Sequence, residues 1–77
     1  MTTEFKMNRP GMDYRHFDLK EPLPERCREA CAQEGRCKAY TYVRPGIQGA
    51  LAHCWLKQAV PKPERVSWYC VSGVKKK

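Results

Sequence analysis

The sequence predicts a small α+β domain in which disulfides fasten one helix to a sheet of about four antiparallel strands. Three observations support this class: one stretch with helical periodicity, several stretches rich in aromatic and β-branched residues, and five cysteines in 77 residues. A chain of this length forms one domain with a small core. Disulfides commonly stabilise such domains in oxidising compartments.

The helix is predicted over residues 24–34. Pro24 suits the first turn, where its missing N–H costs no hydrogen bond. Glu25 places a negative charge near the positive end of the helix dipole, and Gly35 is expected to end the helix in a left-handed conformation. The inward-facing stripe is predicted to consist of Leu23, Cys27, Ala30 and Cys31.

Four strands are predicted, at residues 14–19, 38–43, 54–57 and 68–74, with the last broken at Gly73. Alternation places Cys54 and Leu56 on one face of their strand and Trp55 on the other. Residues 9–11 (Arg-Pro-Gly) are typical of a turn, and residues 44–53 form a long loop.

The formal charge of +7 includes three terminal lysines at residues 75–77. This excess of basic over acidic residues indicates either a solvated surface or a polyanionic partner, such as a sulfated glycan, an acidic lipid surface or a nucleic acid. No apolar run reaches the roughly 18 residues of a membrane span, and residues 1–15 lack the hydrophobic segment of a signal peptide. Because the cysteines favour an oxidising compartment, we expect a module excised from a larger secreted protein.

Catalysis and metal binding find little support in the sequence. His53 precedes Cys54 on a strand, so the two side chains point to opposite faces and are poorly placed to react. The cysteine spacings include no Cys-x2-Cys pair of the kind that zinc sites use. Basic residues near Tyr40 and Tyr42 are compatible with single-strand nucleic-acid binding, but we expect both tyrosines in the core. We therefore predict no enzymatic activity, no cofactor, no metal and no nucleic-acid partner.

Five segments together resemble the PAN/apple domain family, and most closely its bacterial branch. They are residues 9–19 (RPGMDYRHFDL), 27–31 (CREAC), 37–43 (CKAYTYV), 54–57 (CWLK) and 70–74 (CVSGV). The resemblance spans residues 7–74, with residues 1–6 as a leader and 75–77 as a basic tail. It implies an α+β fold with an antiparallel sheet of about four to five strands cradling one helix.

The resemblance also implies two disulfides, Cys27–Cys54 and Cys31–Cys37. The residues alone leave open all three connectivities of these four cysteines. Apple domains carry a further bridge between the two ends of the domain, and Cys70 resembles its C-terminal member. Since no cysteine precedes Cys27, we expect Cys70 to be unpaired and buried on the last strand. Alternatively, Cys70 forms a disulfide with a cysteine outside this chain or links two copies into a dimer. Otherwise we expect a monomer.

PAN/apple domains bind proteins or carbohydrates and do not catalyse reactions. The resemblance implies an extracytoplasmic interaction module of a larger secreted or periplasmic protein, such as an α2-macroglobulin-like protein. The candidate ligand-binding residues are Arg26, Arg28, Arg36, Lys38, Arg44 and Lys57, and the loop at 44–53 is a second candidate surface. Two alternatives stay open: a structural spacer without a ligand, and a small zinc-dependent nucleic-acid binder.

Overall fold

The computed structural model describes residues 1–66 and 69–75. The helix α1 spans Pro24–Gln33. The strands, in chain order, are β1 Glu4–Phe5, β2 Met7–Asn8, β3 Asp13–Leu19, β4 Ala39–Val43, β5 Ala52–Lys57, β6 Glu64–Arg65 and β7 Cys70–Val74.

Five strands form one antiparallel sheet in the order β1-β7-β4-β5-β3, with β4 at its centre. The short strands β2 and β6 pair separately. This architecture confirms the predicted α+β class with one helix and a five-stranded sheet in the described part of the chain. The sheet brings together segments far apart in sequence, because β1 pairs with β7.

The pairing register gives the sheet two distinct faces. Thr41 lies opposite both Trp55 and Ser72, and residues directly opposite in an antiparallel pair share one face. Tyr40 and Tyr42 therefore point to the other face, where α1 packs. Both tyrosines are buried, as predicted. The core between helix and sheet consists of Cys27, Cys31, Cys37, Tyr40, Tyr42, Ala52, Cys54, Leu56 and Val71.

Two disulfides fix the helix to this face. Cys27–Cys54 joins the middle of α1 to β5, with Cα atoms 5.4 Å apart. Cys31–Cys37 joins the last turn of α1 to the segment before β4, with Cα atoms 5.2 Å apart. All four cysteines are buried, and the pairings are those that the family resemblance implies.

The ends of α1 differ from the prediction in two details. Leu23 is the extended N-cap residue and is 42% exposed, so its placement in the inward stripe is wrong. The left-handed Gly35 cap is also wrong. Instead Glu34, with φ of −109°, ends the helix and donates its N–H to the Cys31 carbonyl. A helix closed by this tight turn needs no left-handed residue.

The two termini of the described chain meet at one edge of the sheet. Residues 1–6, expected as a leader, contribute β1, and the Thr2 N–H donates to the Val74 carbonyl at 2.9 Å. The predicted break at Gly73 is wrong, because β7 continues through it. Trp68, the predicted start of that strand, lies outside the described residues, as do Lys76 and Lys77 of the basic tail.

Candidate ligand-binding cleft

A cleft of about 470 Å³ lies on the face of the sheet opposite α1, and we call it the sheet cleft. Its floor includes Thr41, Val43, Trp55, Lys57 and Cys70 from the three central strands. Its walls come from the turn after β2 and from the β4–β5 loop, which contributes Ile47 and Gln48. A volume of this size falls within the roughly 300–1,000 Å³ typical of ligand pockets.

Lys57 places a buried ammonium group at the floor of the cleft. Its Nζ donates to Asp13 Oδ1 at 2.5 Å and to the Gly11 carbonyl at 3.2 Å, and the side chain is 2% exposed. A buried cation is tolerated when it is paired and hydrogen-bonded in this way. The pair holds the turn at Gly11, whose φ of 93° favours glycine, against the sheet.

A second buried polar network fixes the wall before that turn. The Thr41 and Ser72 hydroxyls are 3.0 Å apart, and Ser72 donates to the Met7 carbonyl at 2.8 Å. Arg9 is buried and donates two hydrogen bonds of 2.9 Å to the Glu4 carboxylate, which raises the pKa of Arg9. Arg9 also donates to the Pro61 carbonyl at 2.6 Å. Residues 7–9 are thereby fixed across the sheet.

Trp55 connects the cleft with an imidazole cluster at its outer side. The Trp55 indole Nε1 donates to Gln48 Oε1 at 2.8 Å. The Trp55 ring stacks on His16 with centroids 4.5 Å apart and lies 5.0 Å from His53. Together with Asp18, these residues form what we call the His–Trp cluster. Trp55 is therefore held from the loop on one side and from β3 on the other.

The hydrogen bonds of His53 exclude a catalytic dyad with Cys54. His53 lies on the helix-free face, whereas Cys54 is in a disulfide on the other face. His53 Nδ1 is 2.8 Å from Asp18 Oδ1, and Nε2 is 2.9 Å from His16 Nδ1. The imidazole is thus directed at a second imidazole rather than at a hydroxyl or thiol nucleophile.

A structural zinc site of the predicted alternative kind does not form. Four of the five cysteines are in disulfides and offer no thiolate to zinc. In residues 1–66 and 69–75, no three or more His, Cys, Asp or Glu side chains form a group that could hold a metal ion.

The two arginines predicted for binding on α1 have partners within the chain. Arg26 pairs with Glu21 at 2.8 Å and with Glu29 at 3.0 Å, which cancels its charge locally. Arg28 donates to the Thr3 hydroxyl at 3.3 Å beside β1. Neither faces the sheet cleft.

Three cations meet near the C-terminal end of α1, and we call Arg36, Lys38 and Lys75 the basic end. Arg36 and Lys38 are exposed. The Lys75 N–H donates to the Lys38 carbonyl at 2.8 Å, and Lys75 Nζ donates to the Glu34 carbonyl at 2.7 Å. Arg36 packs over the Tyr14 ring at 4.6 Å. Cations here complement the negative end of the helix dipole.

The six predicted basic residues do not form one surface. Arg44 follows β4 whereas Lys38 precedes it, and a strand of this length separates them by about 20 Å. The Lys57 side chain is buried in the floor of the cleft, although its backbone carbonyl accepts the Lys38 N–H at 2.7 Å. The sequence reasoning missed Asn8, Asp13 and Trp55 as parts of a cleft, because their proximity depends on pairings of distant strands.

Cys70 carries a free thiol at the floor of the cleft and is 2% exposed. Burial raises the pKa of this thiol and disfavours the reactive thiolate.

Alkaline conditions are expected to lower the free energy of unfolding. Burial and a 2.7 Å hydrogen bond to Glu34 raise the pKa of Tyr14 to about 12, and burial raises the pKa values of Tyr40 and Tyr42. The unfolded chain then loses these tyrosine protons first, at about pH 10, so the free energy of unfolding that is present below that pH falls as pH rises.

Urea unfolding of a Cys70→Ala variant, which avoids thiol exchange, should show a lower midpoint at pH 10.5 than at pH 8. A Tyr14→Phe change should reduce the difference, and equal midpoints at both pH values would contradict this account.

The fold is a small α+β domain held by two disulfides, with one face of the sheet covered by α1 and the other open. A family model described as PAN domain matches residues 7–57, and the chain therefore belongs to the PAN domain family. The match ends at the last residue of β5. No curated protein and no solved structure matches the chain.

PAN domains generally mediate protein or carbohydrate interactions and are generally non-catalytic. Those with disulfides are typically extracellular. Over the described ranges, no helix combines the length and apolar character needed to cross a membrane.

Proposed function

We propose that the chain is a non-catalytic, extracytoplasmic interaction module that binds a carbohydrate in the sheet cleft. The observation that carries this proposal is the cleft itself, whose lining combines the Trp55 indole with polar groups. The host that we propose is a larger secreted or periplasmic protein, such as a bacterial α2-macroglobulin-like protein. The module is proposed to act as a monomer.

The chemistry of the lining favours a neutral saccharide. Trp55 and Ile47 offer apolar surface to the C–H face of a sugar ring. Asn8 and Gln48 offer amide donors and acceptors to its hydroxyl groups. The charges of Lys57 and Asp13 cancel within their ion pair, so the described lining gives no net charge that would select a polyanion.

The direct test is an amide-shift titration of the oxidised, ¹⁵N-labelled protein with neutral oligosaccharides, namely N-acetylglucosamine, mannose and galactose oligomers. We expect the Trp55 indole N–H and the Asn8 and Gln48 signals to shift with at least one of them. The shifts should be insensitive to salt, because the site carries no net charge. Shifts confined to other parts of the chain, or absent with every oligosaccharide, would refute the proposal.

A polyanionic ligand is the second candidate, and the basic end is the observation that favours it. Arg36 lies three residues before the start of β4 and Lys38 one residue before it, and both are next to Lys75. Heparin in the same titration would shift these residues, and the shifts would weaken as salt is raised. Arg26, Arg28, Arg44 and Lys57 lie outside the basic end and should shift less. Absence of shifts with both ligands would favour the spacer alternative.

A further inference from the structure

Two imidazoles and a carboxylate meet on the open face where β3 pairs with β5. His16 lies opposite Trp55, and Asp18 lies opposite His53. The two histidines are therefore diagonal neighbours on one face, although 37 residues separate them in sequence. The His53 side chain is 17% exposed, whereas His16 is exposed. Solvent can thus reach the pair.

Asp18 fixes which nitrogen of His53 is free. An ionised carboxylate only accepts hydrogen bonds, so His53 Nδ1 donates to Asp18 Oδ1 across 2.8 Å. The lone pair of the neutral ring is then on Nε2, 2.9 Å from His16 Nδ1. A carboxylate behind an imidazole in this way orients the ring and raises its basicity as a metal ligand.

The geometry points to a transition-metal site in which His16 Nδ1 and His53 Nε2 bind one Cu²⁺ ion and water fills the remaining positions. Metal–imidazole bonds are about 2.0–2.1 Å long, so two nitrogens at a right angle around a metal lie about 2.9 Å apart. The 2.9 Å between the two nitrogens is that of a hydrogen bond in the metal-free pair, and the nitrogens are therefore already at a separation that two ligands of one ion can have. Tetrahedral ligands would lie about 3.3 Å apart, which makes Zn²⁺ the poorer fit.

Binding requires that the hydrogen bond between the two rings breaks, that His16 changes tautomer, and that the rings rotate until both nitrogen lone pairs point at the ion. In the metal-free pair, neutral His16 donates its Nδ1 proton to His53. When Nδ1 binds the ion, that proton moves through solvent to Nε2, which is the other nitrogen of the same exposed ring. No oxidant or reductant takes part.

Trp55 limits the motion of the pair and reports on it. Its ring stacks on His16 at an interplanar angle of 24° and lies 5.0 Å from His53. Rings packed in this way lose little further freedom when a metal binds. A bound Cu²⁺ ion would quench Trp55 fluorescence, since paramagnetic ions quench neighbouring indoles.

The test titrates CuCl₂, NiCl₂ and ZnCl₂ into the oxidised full chain carrying Cys70→Ala, because a free thiol also reacts with Cu²⁺. We expect one equivalent of Cu²⁺ to bind more tightly than Ni²⁺ or Zn²⁺. It should quench the fluorescence, broaden the His16 and His53 ring signals in NMR spectra, and be released by EDTA. A Trp55→Phe change should remove the Trp55 contribution to the quenching and keep the binding measured by calorimetry.

Substitutions of His16, His53 and Asp18 decide whether the ion is bound where we propose. His16→Ala and His53→Ala should each lower Cu²⁺ affinity at least about tenfold, and Asp18→Asn about tenfold through loss of orientation. Glu25→Gln, a carboxylate change on the exposed side of α1, is the matched control and should change nothing. Circular dichroism identifies any variant that has lost its fold, and His16→Ala serves as the primary variant because its side chain is exposed. Unchanged affinity in His16→Ala or in Asp18→Asn would overturn the proposal.

Discussion

Replacing both cysteines of the Cys27–Cys54 disulfide with alanine is expected to leave the chain largely unfolded at 25 °C. The bridge closes a loop of about 28 residues, which corresponds to roughly 3.6 kcal/mol in the loop-entropy description. A small core of this size supplies only about 3–5 kcal/mol of net stability. A ten-residue helix is also marginal on its own, so α1 depends on this bridge to stay on the sheet.

The measurement is an amide spectrum together with circular dichroism of the double variant. The matched control removes the shorter Cys31–Cys37 bridge in the same way, for which the loop-entropy figure is roughly 2.4 kcal/mol. That variant should be destabilised less. Cys70→Ala controls for loss of sulfur without loss of a bridge. A double variant that kept the native spectrum and a similar urea midpoint would contradict the central role of this disulfide.

Gly73→Ala is expected to destabilise the fold by about 3 kcal/mol, at the upper end of the range for overpacked interiors. A Cβ atom at Gly73 would lie 2.3 Å from the Thr2 carbonyl oxygen and 2.3 Å from Tyr40 Cε2. The Tyr40 ring is fully buried, and its hydroxyl donates to the same Thr2 carbonyl at 3.3 Å. The added methyl group would therefore clash with a backbone atom and a buried ring, neither of which is the far end of a flexible side chain.

Gly49→Ala is the matched control, because a Cβ there meets no atom within 4 Å and its φ is not positive. Urea unfolding followed by fluorescence should separate the two variants clearly, with Gly49→Ala within about 0.5 kcal/mol of the parent. Equal stability of the two alanine variants would show that the close approach at Gly73 is not a constraint.

The sequence predicted those helices and strands that are determined by patterns within their own segments. The helix at Pro24–Gln33 and the central strands have their own periodicity and turn signals, so their positions needed no tertiary knowledge. The disulfide pairings required the family resemblance, because spacing alone left three possibilities. Gly73 was misread as a strand break because its neighbours Thr2 and Tyr40 lie far away in sequence.

The site was less predictable than the fold for a physical reason. Lys57 reads as a surface cation until its partner Asp13 is known, and that partner is 44 residues away. His53 was considered only as a catalytic partner of Cys54, since the strand register that brings it next to His16 is not encoded locally. Charge alone therefore gave a list of basic residues that the fold distributes over several surfaces.

The measurement that tests the central claim most directly is a glycan-panel binding assay of three proteins: the parent, Gln48→Ala and Gln33→Ala. Gln48 lies at the wall of the sheet cleft and holds Trp55, whereas Gln33 is exposed at the end of α1. The account predicts that the parent and Gln33→Ala retain the same neutral glycan and that Gln48→Ala loses it. Equal retention by all three proteins, or retention of sulfated glycans alone in a salt-sensitive manner, would contradict a binding site in the cleft.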